Sequence, residues 1–131
     1  MCAARLLRKR VLATDIEPWS VRVAQQNAKL NQLGRLTRFR LANGWRSRAV
    51  RGASPYDLVF ANILARPLCL MASRLATHMA PGGTAILAGL VQAQMRAVVA
   101  AHRRCGLHLE ACIHEEPWTT LILRRPHALP A

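Results

Sequence analysis

Short apolar runs alternate along the chain with stretches in which apolar residues recur every three or four positions. The run at 58–61 is continuously apolar, which is typical of a strand buried on both faces of a parallel sheet, and the run at 11–14 predicts a second short buried strand. Helical spacing predicts helices over 18–33, 67–79 and 91–105. Gly34 and Gly106 follow two of these helices and are expected to end them.

The remaining segments complete an alternation of strands and helices. Further predicted elements are the end of a helix at 2–9, strands at 36–41 and 84–88, a turn at 81–83 and a loop at 42–55. Segments 107–114 and 119–123 predict an antiparallel strand pair at the C-terminal end. The order predicts an α/β fold with a doubly wound, mostly parallel sheet, and residues 1–131 are expected to form a single domain.

Two of the buried strands are followed directly by polar side chains, Asp15 and Asn62. Open α/β sheets bind ligands outside the carboxyl ends of their strands, so both positions are candidates for a binding site. Pro18 suits the first position of a helix and places Glu17 at the N-cap, which leaves the Asp15 carboxylate for a ligand such as a ribose diol. The alternatives are that Asp15 caps the helix locally and that Asn62 begins a turn or caps the next helix.

The chain carries 19 Lys and Arg against 6 Asp and Glu, a formal net charge of +13. This excess predicts attraction to an anionic partner such as RNA or a ribosomal particle. However, the arginines are dispersed, and no RNA-binding motif with interleaved aromatic residues accompanies them. An arginine-rich genome would produce the same composition, so the charge does not identify a partner.

Cysteine and histidine spacing predicts no metal site. The four cysteines contain no C-x-x-C pair, and the five histidines lack the spacing of metal ligands. No window approaches the roughly 20 apolar residues of a membrane span, and the first residues do not have the order of a signal peptide. We therefore expect no membrane partner and a cytoplasmic location.

Several segments together resemble one enzyme family. Thr14-Asp15-Ile16-Glu17-Pro18, Gln26-Asn27-Ala28 and Ala80-Pro81-Gly82-Gly83 occur in the order and at the intervals found in the catalytic domain of ribosomal protein L11 methyltransferases. The segment Ala61-Asn62-Ile63-Leu64-Ala65 narrows the resemblance to this family. Relatives that methylate glutamine or nucleobase nitrogens usually carry Asn-Pro-Pro and an aromatic residue at that place.

The resemblance implies a Rossmann-like fold and the use of S-adenosyl-L-methionine. In this family Asp15 would accept hydrogen bonds from the cofactor's ribose, Asn43 and Gly44 would border its adenine, and Asn62 would lie beside the transferred methyl group and orient the incoming amine. The substrate would be a ribosomal protein that is trimethylated on lysines and on its N-terminal amine.

The family pattern also implies a preceding strand with a glycine-rich loop and an amino-terminal recognition domain, and we expect these to be absent from this chain. The chain is therefore expected to be an N-terminally truncated catalytic domain that alone binds the cofactor weakly and is inactive. The alternatives are a non-catalytic basic module that binds RNA or the ribosome, and a fragment of another Rossmann-like methyltransferase. The oligomeric state does not follow from these residues.

Overall fold

Six strands in the described part of the chain form two separate sheets. The computed structural model describes residues 1–127. Contacts between Cα atoms divide the chain into two units, Met1–Gly52 and Ala53–Ala131. No helix within residues 1–127 combines the length and the apolar character that a membrane crossing requires.

The first unit is built around a pair of parallel strands. Its elements are α1 (Cys2–Leu7), β1 (Val11–Asp15), α2 (Pro18–Leu30), β2 (Thr37–Leu41), a 3₁₀ turn (Gly44–Arg46) and α3 (Arg48–Gly52). The register pairs Asp15 with Leu41, so β1 and β2 end at the same edge. The helix α2 packs on both strands and buries Ala28.

Helix α2 ends at Leu30, so the predicted end at 33 with Gly34 as its stop is wrong. Gln32 takes the left-handed conformation with φ of 58°, and the Leu33 amide then donates to the carbonyl of Ala28 at 2.8 Å. The Asn31 side chain also donates to the Asn27 carbonyl at 2.8 Å. The left-handed backbone at Gln32, together with the Asn31 side chain, thus ends this helix before the glycine is reached.

The second unit is a four-stranded sheet with two helices. Its elements are β3 (Tyr56–Asn62), α4 (Ala65–His78), β4 (Met79–Val91), α5 (Gln92–Arg104), β5 (His108–Glu115) and β6 (Trp118–Arg124). The strand order is β3-β4-β6-β5, in which β3 and β4 are parallel and the other two pairings are antiparallel. Apolar side chains from α4, β4, α5 and β6 form its core, among them Leu68, Leu87, Val98 and Leu121. The predicted α/β class and the antiparallel strand pair are confirmed.

Three local predictions differ from the structure. The loop at 42–55 contains the 3₁₀ turn and α3. Strand β4 starts at Met79 rather than at 84, and the predicted turn at 81–83 is an irregularity in its pairing, where Tyr56 pairs with Met79 but Leu58 with Thr84. Strand β3 is not buried on both faces and Phe60 is 59% exposed, because α4 and α5 pack mainly on β4, β5 and β6.

One imidazole in the core of the second unit has an unsatisfied nitrogen. His102 on α5 is 0% exposed, and its Nδ1 lies 2.8 Å from the Val98 carbonyl, which identifies Nδ1–H as the donor. Within residues 1–127, Nε2 has no hydrogen-bond partner. Burial lowers the pKa of His102 below its usual value, although the bond to Val98 opposes this shift.

We therefore expect acid to destabilise this unit through His102. Above the unfolded-state pKa of about 6.5 both states hold a neutral imidazole. Below it the imidazole is protonated in the unfolded state but stays neutral in the folded state. The free energy of unfolding therefore falls by up to about 1.4 kcal/mol per pH unit, until the pH reaches the lowered pKa of His102 in the folded state. Urea unfolding between pH 7.5 and 5 measures this slope.

His102→Leu should reduce the slope, and His108→Gln, at an exposed position on β5, serves as the matched control. An unchanged slope in His102→Leu would show that other groups cause the acid sensitivity.

Candidate functional site

Asp15 is the last residue of β1 and is exposed at the carboxyl end of the strand. Its Oδ1 accepts a hydrogen bond of 2.9 Å from the Glu17 amide. Glu17 is the N-cap of α2 and Pro18 its first residue, as predicted, but the Glu17 side chain forms no capping bond within the described residues. The carboxylate of Asp15 therefore both orders the start of α2 and presents its second oxygen at the strand end.

Asn43 and Gly44 begin the segment that follows β2. The Ala42 amide donates to the Asp15 carbonyl at 2.9 Å, so this segment leaves the sheet beside Asp15. Asn43 is exposed and precedes the 3₁₀ turn, while Gly44 has φ of 46°. This left-handed conformation favours glycine. The structure therefore brings together three of the four predicted residues within the first unit.

The segment after β2 is held by a side chain that the sequence did not single out. Arg51 Nη1 donates to the carbonyls of Trp45 and Arg46, both at 2.8 Å. Trp45 is buried, which anchors the 3₁₀ turn between Asn43 and Arg51. The sequence does not predict the bond from Arg51 to the Trp45 carbonyl, because an arginine six residues after a tryptophan reaches that carbonyl only when the turn and α3 have formed.

Asn62 is the last residue of β3 in the second unit and is exposed. It pairs with Ala88 on β4, and the next residue of β4 is Gly89 with φ of 82°. A Cβ atom at Gly89 would lie 2.8 Å from Asn62 Oδ1 and 2.8 Å from the Ile63 carbonyl. The amide side chain thus packs directly against the backbone of Gly89, at a place where only hydrogen fits.

Gly89 also interrupts the pairing of β4 with β6, whose register shifts between Leu87 and Leu90. The predicted strand at 84–88 stops before Gly89, whereas β4 continues to Val91, and the contact of Gly89 with the amide depends on the alignment of β3 with β4.

A metal centre and a surface groove are two further kinds of candidate site. Within 1–127 no group of three or more His, Cys, Asp or Glu side chains is placed to hold a metal ion. A groove of about 320 Å³ lies at the ends of α4 and α5 and contains none of the predicted site residues. Arg125, one of its lining residues, donates to the carbonyls of Ala76 and Met79 at the end of α4.

Replacing Gly89 tests the contact with Asn62. Gly89→Ala should lower the free energy of unfolding because alanine is strained at positive φ, by about 1–2 kcal/mol, and because its methyl group would collide with the Asn62 amide. Gly106→Ala is the matched control, since Gly106 has φ of 84° but open space around its Cβ position.

Urea unfolding should show the larger loss for Gly89→Ala, and the side-chain amide resonances of Asn62 should move in that variant only. Equal losses with an unmoved amide would contradict the contact.

Comparison with known proteins places this chain in a family. The ribosomal protein L11 methyltransferase (PrmA) family matches residues 1–126. The ribosomal protein L11 methyltransferase of Bradyrhizobium diazoefficiens is 46% identical over 125 residues, which cover 95% of this chain and 42% of that protein. The chain thus spans about two fifths of the length of this curated relative.

Solved structures show the same fold. The crystal structure of the ribosomal protein L11 methylase from Lactobacillus delbrueckii subsp. bulgaricus has a TM-score of 0.82 and 27% identity, covering 91% of this chain and 59% of that one. An RNA methyltransferase from Salinibacter ruber in complex with S-adenosyl-L-homocysteine has a TM-score of 0.72 at 19% identity, covering 98% of this chain and 73% of that one, and shares the fold. The match over residues 1–126 establishes that this chain belongs to the ribosomal protein L11 methyltransferase family.

Proposed function

We propose that this chain provides catalytic-domain residues of an S-adenosyl-L-methionine-dependent methyltransferase that acts on amino groups of a ribosomal protein. The observation that carries the proposal is the Asn62 amide packed against Gly89 at the carboxyl end of a parallel strand, in a chain of this family. Ligands of open α/β sheets bind at such strand ends.

Asp15 is proposed to hold the cofactor through its ribose. Its carboxylate is exposed at the end of β1, and Oδ1 is oriented by the Glu17 amide. A carboxylate accepts two hydroxyl hydrogen bonds of a ribose diol more strongly than a neutral group would. Asn43 and Gly44 are proposed to border the adenine. Gly44 allows the backbone after β2 to turn beside Asp15.

Asn62 is proposed to orient the attacking amine. S-adenosyl-L-methionine supplies an electrophilic methyl group on a sulfonium centre. The Asn62 carbonyl oxygen can accept a hydrogen bond from a neutral amine and direct its lone pair, and it remains uncharged while doing so. Because in-line displacement depends strongly on alignment, positioning by Asn62 supplies a large part of the acceleration.

The substrate proposed is a ribosomal protein, with lysine side chains and the N-terminal amine as methyl acceptors. The excess of 19 basic over 6 acidic residues favours approach to a ribosomal particle rich in phosphate. Such a substrate would place the reaction in the cytoplasm.

We further infer that residues 1–127 provide an incomplete set of cofactor contacts. Strands β1 and β3 each pair on one side in the described residues, and their sheets are separate. Phe60 of β3 and Leu41 of β2 are 59% and 57% exposed. In a complete parallel sheet, helices packed on both faces cover apolar side chains at such places.

The first experiment grafts this chain onto a relative. In the B. diazoefficiens protein, the matching 125 residues are replaced by those of this chain, and methyl transfer to ribosomal protein L11 is measured. Asn62→Ala should lower kcat about 100-fold, as expected for a misaligned reactant. Asp15→Asn should raise the KM for the cofactor roughly 10- to 100-fold through loss of charged hydrogen bonds.

Gln25→Ala, at an exposed amide on α2 outside the segments that resemble the family, is the matched control and should leave both constants unchanged. An unaltered kcat in Asn62→Ala would overturn the assignment of Asn62.

The second experiment measures cofactor binding by the 131-residue chain itself. Titration calorimetry should detect weak or no binding of S-adenosyl-L-methionine, and the grafted protein should bind more tightly because it supplies the remaining contacts. Low-micromolar affinity of the chain alone would contradict an incomplete site.

An RNA-binding module would give a different result. Its affinity for RNA would fall steeply with salt and would not change in Asp15→Asn or Asn62→Ala. Fluorescence titration of the chain with single-stranded RNA over a range of salt concentrations makes this distinction.

A further inference from the structure

A cluster of three soft or borderline donor groups lies on the face of the sheet covered by α5. Cys112 and His114 are two residues apart on β5 and therefore point to the same face. Helix α5 packs against β5 and β6 and brings Met95 over this face. The sequence gives no sign of the cluster, since Met95 is 17 residues from Cys112.

The donor atoms lie close together. Cys112 Sγ lies 3.5 Å from Met95 Sδ and 3.3 Å from His114 Nε2. With metal–sulfur bonds of about 2.3 Å, metal–nitrogen bonds of about 2.0 Å and angles near tetrahedral, two sulfur ligands of one ion lie about 3.8 Å apart and a sulfur and a nitrogen about 3.5 Å apart. Both observed distances are shorter than these by only a few tenths of an ångström, so a shared ion requires a small outward movement of the side chains.

The imidazole is already oriented for coordination. His114 Nδ1 lies 3.1 Å from the hydroxyl oxygen of Thr119, its partner across the β5–β6 pairing. Thr119 is 1% exposed and fixed in the sheet. If its oxygen accepts Nδ1–H, the lone pair of Nε2 is directed towards Cys112, and metal-binding histidines are commonly held by such a second bond.

We propose that Cys112, His114 and Met95 form a binding site for a soft monovalent cation of the Cu(I) class. A thioether together with a thiolate selects soft ions, whereas zinc takes Cys, His and carboxylate ligands. Within residues 1–127 no further His, Cys, Asp or Glu completes such a zinc set. The site is distinct from Asn62 and from the proposed methyl transfer.

Binding involves one proton and no change of oxidation state. The S–H bond of Cys112 breaks, its proton passes to solvent, and the thiolate forms a bond to the monovalent ion. His114 Nε2 and Met95 Sδ each contribute a lone pair. His114 is exposed while Cys112 and Met95 are half-buried, so the ion can enter from solvent past the imidazole.

The test uses Ag(I), a redox-inert ion of the same class, as the probe. The chain has three other free cysteines, so Cys2, Cys69 and Cys105 are replaced by Ser in the reference protein. One equivalent of Ag(I), added without oxygen, should shift the methyl resonance of Met95 and the Nε2 resonance of His114 and leave the methyl resonance of Met71 in place.

Affinities are then compared by competition with a chelator that binds Ag(I). Thr119→Val should weaken binding about 10-fold by freeing the imidazole, His114→Gln and Met95→Leu should weaken it at least as much, and Cys112→Ser should abolish it. Met71→Leu, at another half-buried helical methionine, is the matched control. Far-UV circular dichroism confirms that each variant folds.

Two results would overturn the proposal. The first is a saturated protein in which the Met95 methyl resonance has not moved, which means that the ion binds without the thioether. The second is equal Ag(I) affinity in Cys112→Ser and the reference protein.

Discussion

The hydrogen-bonded ladder of β4 is the interaction on which the second unit depends. This strand pairs with β3 on one side and β6 on the other, and its side chains Ala85, Leu87 and Leu90 are fully buried. The parallel pairing aligns Asn62 with Ala88 and so places the amide against Gly89. Through β6, the same ladder sets the position of β5 and of the side chains on its face. The proposed catalytic amide and the proposed metal site thus depend on one strand, although they lie at different places.

Local sequence signals predicted the parts of this fold that are determined by few residues. The apolar run before Asp15 and the Glu17–Pro18 pair gave β1 and the start of α2. Gly106 ends α5 with φ of 84°, as its position after the helix predicts. In each case the signal and the structure it specifies lie within a few residues of one another.

Features that require contacts distant in sequence were not predictable in this way. The bulge in β4 near Gly82 depends on its alignment with Tyr56 and Leu58, and the turn after β2 depends on Arg51 reaching back to Trp45. Asp15 and Asn62 could be chosen as site residues because a polar residue ending an apolar run is visible in the sequence. The contact of Asn62 with Gly89 could not, because it depends on the register between two strands.

The exposure of β3, an edge strand, differs from the burial that its sequence pattern predicts. Its run from Leu58 to Ala61 is typical of a strand covered on both faces, yet Phe60 is 59% exposed and no residue of the strand is fully buried. The pattern and the pairing agree only if further structure covers this strand. Asn62 lies at the end of the same strand, so the covering that would bury Phe60 would also restrict the approach of water to the amide. Water that hydrogen-bonds to the lone pair of a neutral amine must leave before the amine attacks an electrophile, so the burial that the apolar run of β3 indicates would favour the proposed role of Asn62.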